Sequence, residues 1–137
     1  MHSTAIRVMV IEDDFLLAGT LADVLTRLGC KAGPCIGSFD QAMEAALDES
    51  CDLAVVDLDL RGMAAYPILD RLMQRGIPFI IATALTRRDI DARYACAPCV
   101  SKPYDIGELR QAVMLASATL LPRANVSSIR PPQTSES

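Results

Sequence analysis

Three short apolar runs restrict the architectures open to this chain. Residues 5–11 read AIRVMVI, 52–58 read DLAVVDL and 78–85 read PFIIATAL. Each is short and β-branched, and the last is continuously apolar, as a strand covered on both faces should be. The segments between them repeat their apolar residues every three or four positions, the spacing of a helix with one buried face. Strands alternating with helices predict a parallel sheet wrapped by helices on both sides.

The individual elements carry their own start and stop signals. FLLAGTLADVLTRLG, 15–29, places Leu17, Leu21, Val24, Leu25 and Leu28 on one helical face, with Arg27 and Gly29 marking its stop. CKAGPCIG, 30–37, is a short, poor strand. Ser38 and Gln41 have capping-box spacing for a second helix reaching about Asp48. Pro67 suits the first turn of a third helix, whose apolar face is Ile68, Leu69, Leu72 and Met73 before Arg75 and Gly76. Only fifteen residues, 83–97, separate the fourth strand from PCVS, so any fourth helix is predicted to be short or irregular. Asp105 and Glu108 cap a last helix with Ile106, Leu109, Val113, Ala116 and Leu120 at helical spacing. The expected count is five strands and five helices over residues 1–121. The Pro/Ser-rich tail 122–137, PRANVSSIRPPQTSES, is expected to be disordered.

Composition narrows the function classes. A length of 137 residues is one domain by the usual prior, and 51% hydrophobic with 4% aromatic and no Trp means an aliphatic core. A net charge of -4 and a pI near 4.9 argue against a nucleic-acid surface, which needs a basic stripe. No export leader and no run of eighteen apolar residues is present, so the expectation is a cytoplasmic chain that neither spans a membrane nor is secreted. The cysteines at 30, 35, 51, 96 and 99 include one CxxC pair, but His2 is the sole histidine, so zinc lacks its ligands. The thiols read as reduced, most of them packed as small apolar side chains.

The predicted topology gathers the polar residues. In an open parallel sheet ligands sit outside the carboxyl ends of the strands. The first strand ends on Glu12, Asp13 and Asp14, the third on Asp57 and Asp59, the fourth on Thr83 and the fifth on Lys102 before Pro103. Several carboxylates in one partly dry cleft repel, so either protons or a divalent cation must neutralise them. An all-oxygen donor set favours Mg²⁺, which leaves a position for a phosphoryl oxygen. Lys102 adds a compact cation and Thr83 a neutral donor, completing what phosphoryl transfer to a carboxylate requires.

In order along the chain, VMVIEDD, LAVVDLDLRG, IIATAL and VSKPYD resemble the motifs of a response-regulator receiver domain, CheY-like, over roughly residues 5–121. The resemblance implies a flavodoxin-like, doubly wound (βα)5 three-layer sandwich with strand order 2-1-3-4-5. It implies Glu12 and Asp13 as the acidic pocket, Asp13 as direct Mg²⁺ ligand and Asp57 as ligand and phosphoacceptor. Asp59 falls where the family uses a backbone carbonyl as ligand. Thr83 is then the switch hydroxyl, Ala84 the small residue beside the phosphoryl group, and Lys102 the phosphate contact before a cis-type bond to Pro103. A histidine kinase is the implied donor. With no second domain after residue 121, output is expected through protein contact.

One position departs from that pattern: three residues before the lysine, where receivers carry an aromatic rotor, stands Cys99. Together with the short fourth-helix region this resembles the FAT GUY single-domain receivers, partners of HWE or HisKA2 kinases. Only Ala82 and Thr83 of Ile81-Ala82-Thr83-Ala84-Leu85-Thr86 match their motif. Two rival readings share some of these motifs. VVDLDL also resembles the DxD motif of haloacid-dehalogenase-like phosphatases, with Asp57 as nucleophile and Asp59 as general acid. Those enzymes need a further acidic metal site downstream, whereas here the second acidic pair, Glu12-Asp13, lies upstream. A pseudo-receiver that only binds partners would need a broken phosphorylation set, and this set is complete.

Overall fold

A computed structural model describes residues 5–84 and 89–118. The chain forms β1 (Arg7–Ile11), α1 (Phe15–Arg27), β2 (Lys31–Ile36), α2 (Phe39–Asp48) and β3 (Leu53–Asp57). A two-stranded hairpin follows, β4 (Asp59–Leu60) and β5 (Met63–Ala64), then α3 (Tyr66–Gln74), β6 (Phe79–Thr83), β7 (Cys99–Ser101) and α4 (Ile106–Ser117). The main sheet has order β2-β1-β3-β6-β7, and each neighbouring pair is parallel. With the hairpin set aside this is the expected 2-1-3-4-5 order.

Period-two alternation divides the core. Val8, Val10, Val55, Ile80 and Ala82 face α1 and α4, while Met9, Ile11, Val56, Phe79 and Ile81 face α2 and α3. Helices bury the stripes their spacing requires: Leu21, Val24 and Leu25 on α1, Leu109, Val113 and Ala116 on α4. The caps fall where polar residues precede apolar runs. Asp14 Oδ1 accepts the N–H groups of Leu16 and Leu17, Ser38 Oγ that of Gln41, and Asp105 Oδ2 that of Glu108. β2 lies on the edge, where Pro34 costs no ladder bond to a further strand. Its register slips between Val8 and Val10, beside Gly33, where an added Cβ would sit 3.0 Å from the Val8 carbonyl oxygen.

Several expectations are corrected. Four α-helices, not five, occur among the described residues. Between β6 and β7 the described residues make a 3₁₀ turn, Ala92–Tyr94, the short and irregular element expected where few residues are available. Met73, expected in the α3 stripe, is 48% exposed because it borders an open cleft rather than the sheet. Of the cysteines only Cys30 is fully buried; Cys35 and Cys96 are exposed, Cys51 and Cys99 half-buried, and none is bridged. No helix among the described residues is long and apolar enough to cross a membrane. Leu85, Thr86, Leu120 and the tail 122–137 lie outside the described residues.

Candidate functional site

The strand ends meet as the topology dictates. β1 and β3 are adjacent and in register, Ile11 opposite Val56, so Glu12 and Asp57 both leave the sheet at the same rim. β6 adjoins β3 with Ala82 opposite Asp57, and β7 adjoins β6 with Ser101 opposite Thr83, which delivers Lys102 to that rim. One carboxylate oxygen from each of Glu12, Asp13 and Asp57 lies within 4.8 Å of the other two. Glu12 is 2% exposed and Asp57 4%.

Lys102 joins the two buried acids. Its Nζ is 3.0 Å from Glu12 Oε1 and 3.0 Å from Asp57 Oδ2. Asp57 Oδ1 accepts the Asp59 N–H at 3.1 Å. Glu12 Oε2 accepts the Asp14 N–H at 3.1 Å, and Tyr104 Oη donates to Glu12 Oε1 at 3.0 Å. The Lys102–Pro103 bond is cis, and the Lys102 N–H donates to the Thr83 carbonyl oxygen. Thr83 is buried and, with exposed Ala84, lines the same cleft of about 630 Å³ as the acids.

The charges are unequal. Burial raises the Asp57 carboxyl, the charge of Glu12 adds to this, and the opposing bonds from Lys102 and Asp59 leave it at about 6. Burial acts in the same sense on Glu12, but Lys102, the Asp14 N–H and the Tyr104 hydroxyl outweigh it and hold that carboxyl below its usual range. Burial would lower the Lys102 ammonium, yet its bonds to Asp57 and Glu12 keep it above its ordinary value. Glu12 and Asp57 with Lys102 between them leave a net negative charge, to which the neighbouring Asp13 carboxylate adds. Hard oxygen donors with residual negative charge fit Mg²⁺.

The neighbouring acids have other tasks. Asp14 caps α1, and Asp59 is exposed, its Oδ1 accepting the Gly62 N–H at 2.7 Å. Asp59 is therefore the one proposed ligand whose side chain does not join the acidic trio. Its hairpin turns at Arg61 (φ 53) and Gly62 (φ 87), consecutive left-handed residues of the kind a tight two-residue turn requires. That turn sends the Arg61 N–H to Asp13 Oδ2 at 2.8 Å, fixing the half-buried Asp13. Sequence reasoning missed both this hairpin and the bond from Tyr104. An RG pair after a strand end is a signal for the first; for the second there is none, because the partners are 92 residues apart.

Known proteins resemble the chain over this region. The family described as response regulator receiver domain matches residues 8–114. The transcriptional regulatory protein PdtaR of Mycobacterium tuberculosis is 27% identical over 114 residues, 80% of this chain and 56% of that protein. The chain thus spans about half the length of that curated relative. Sporulation initiation phosphotransferase F of Bacillus subtilis is 26% identical over 112 residues, 78% of this chain and 90% of that protein. The solution structure of SdrG from Sphingomonas melonis superposes with a TM-score of 0.73 at 27% identity, covering 84% of this chain and 98% of SdrG.

Proposed function

This chain belongs to the response regulator receiver domain family, and we propose that it works as a two-component response regulator that takes up a phosphoryl group on Asp57. The observation carrying the assignment is the pair of bonds from Lys102 Nζ to Glu12 and Asp57 beside Asp13, at the carboxyl end of β3. An Asp57 carboxylate oxygen attacks phosphorus, the bond from phosphorus to a kinase histidine nitrogen breaks, and the electron pair leaves on the imidazole. The product is an acyl phosphate on Asp57.

Each neighbour has a part that its position supports. Lys102, already on Asp57 Oδ2, follows the charge onto the phosphoryl oxygens, and the Thr83 hydroxyl offers them a neutral donor. Ala84 leaves room beside them. Glu12 stays ionised and, with Asp13, Asp57 and the backbone near Asp59, would hold Mg²⁺. Once bound, the ion supplies charge neutralisation and polarises a phosphoryl oxygen. The donor is a histidine kinase, with the HWE or HisKA2 type as the finer assignment, and the exchange is cytoplasmic. Acceptance is stoichiometric and the phosphorylated state is passed on through protein contact.

Radiolabelled acetyl phosphate with Mg²⁺ tests the acceptor. Wild type incorporates up to one equivalent at Asp57 and Asp57→Asn none; label retained by the variant on neighbouring residues would refute the assignment. Many cycles of phosphate release per chain would instead favour the phosphatase reading.

A further inference from the structure

Tyr66 stands between two clefts. It lines the acidic cleft together with Thr83, Ala84 and Asp57, and its ring stacks on Tyr94 with centroids 5.1 Å apart and planes 9° from parallel. Tyr94 in turn lines a separate, mostly apolar cleft of about 790 Å³ bordered by Phe79, Met73, Leu115 and Cys99. The two stacked rings therefore stand between the acidic cleft and that second cleft.

The same tyrosines anchor the segment that replaces a fourth helix. Tyr94, 1% exposed, is the most deeply buried described side chain of residues 89–98, ahead of Ala97 and Ile90. Its ring also leans on Phe79, and its hydroxyl donates to Asp70 at 2.6 Å. The Asp91 N–H donates to Tyr66 Oη at 3.2 Å, and Arg93 pairs with Asp70 at the surface. Three bonds, from Asp91, Arg93 and Tyr94, thus tie to α3 a turn whose own backbone bonds are short-range i→i+3 ones. Such a segment opens locally when its few contacts are lost.

We infer that Tyr66 and Tyr94 act as a relay: a phosphoryl group seated on Asp57 between Thr83 and Ala84 crowds the Tyr66 ring, and its displacement loosens residues 89–98 and opens the apolar cleft at Cys99. This rests on Asp57 being the acceptor. The aromatic route lies on the α3 side of the sheet and makes no use of position 99, where a ring is lacking. Tyr66 is a positioning residue, since it acts on the cleft through Tyr94.

Native cysteines report the motion. The full chain is titrated with Mg²⁺ and beryllofluoride, a tetrahedral mimic of a carboxylate-bound phosphoryl group, while fluorine NMR measures occupancy. Alkylation is followed cysteine by cysteine by fragment-resolved mass spectrometry, which separates the reporter Cys99 from exposed Cys96, with Cys35, exposed on the far edge strand, as the internal reference. The Cys99 rate in wild type is expected to rise roughly two- to tenfold on occupancy, the range set by losing one aromatic pair in a local opening equilibrium. Tyr66→Leu binds the mimic but shows one rate with and without it, whereas Tyr66→Phe, which keeps the ring, retains the rise. Full occupancy with an unmoved Cys99 rate in wild type, or an equal rise in Tyr66→Leu, overturns the relay. A wild type that takes up no beryllofluoride overturns the acceptor assignment instead.

Discussion

Removing the charge of Asp57 should stabilise the metal-free protein even as it abolishes phosphoryl acceptance. Burial and the nearby Glu12 carboxylate raise this carboxyl from 3.8 to about 6, so at neutral pH the fold holds ionised a group it would rather protonate. Each tenfold in proton affinity is worth about 1.4 kcal/mol, and at pH 7 the ionised carboxylate therefore costs about 3 kcal/mol relative to the unfolded chain. Asparagine keeps the shape and an acceptor for the Asp59 N–H without that charge, and Lys102 retains Glu12 at 3.0 Å. For a domain of this size the gain corresponds to a Tm higher by on the order of 10 °C. Urea and thermal unfolding in EDTA, wild type against Asp57→Asn, measure it across pH. Because the folded-state pKa of this acid is raised, its penalty is fully present above about 6 and disappears as pH falls through the window from about 6 to 3.8. The two proteins should converge over that window, and Mg²⁺ at neutral pH should narrow the gap by stabilising wild type alone. Equal stabilities in EDTA near pH 7, or a gap that widens on acidification, would refute the electrostatic reasoning.

Three other substitutions probe the same pocket. Asp13→Ala should weaken Mg²⁺ binding by about tenfold or more in isothermal titration, since a charged oxygen ligand is lost; unchanged affinity removes Asp13 from the ligand set. Lys102→Met leaves Glu12 and Asp57 buried without their cation and should destabilise the EDTA-treated protein toward the lower end of the ~3–5 kcal/mol seen for broken buried pairs, Mg²⁺ restoring part of it. A destabilisation confined to the surface-pair range would show that the lysine is not holding the acids. Tyr104→Phe removes a hydrogen bond to a charged group, costing about 1.5 kcal/mol, and should raise the Glu12 pKa in carbon-detected NMR titration; an unmoved Glu12 would contradict the bond.

What could be read from residues alone was whatever local physics repeats. The apolar runs of β1, β3 and β6 announce strands buried on both faces, and the stripes Leu21-Val24-Leu25 and Leu109-Val113-Ala116 announce helices lying on them. Alternation of the two, with right-handed crossovers, leaves few topologies, and any of them carries Glu12, Asp57, Thr83 and Lys102 to one rim. The convergence of those four residues was legible for that reason. The roles of the other acids were not, because a carboxylate at a strand end has several uses. Asp14 turns into a helix cap and Asp59 into a hairpin turn, choices decided by which backbone N–H groups the fold presents within reach.

Tertiary structure alone decided the contacts between distant segments. Nothing near Tyr104 in the chain marks Glu12 as its partner, and nothing near Tyr94 marks Tyr66, Asp70 and Phe79 as the surfaces it fills. Met73 sits at helical spacing with buried neighbours yet faces a cleft, because the short turn before β7 leaves that flank of the sheet uncovered. The amino acids thus determined the sheet, its helices and the rim on which the charges gather, since periodicity and chain connectivity are properties of neighbouring residues. Which aromatic packs on which, and which acid is held ionised by a lysine distant in the chain, followed only from close packing in three dimensions, where the available space and the partners in reach are set by every segment at once.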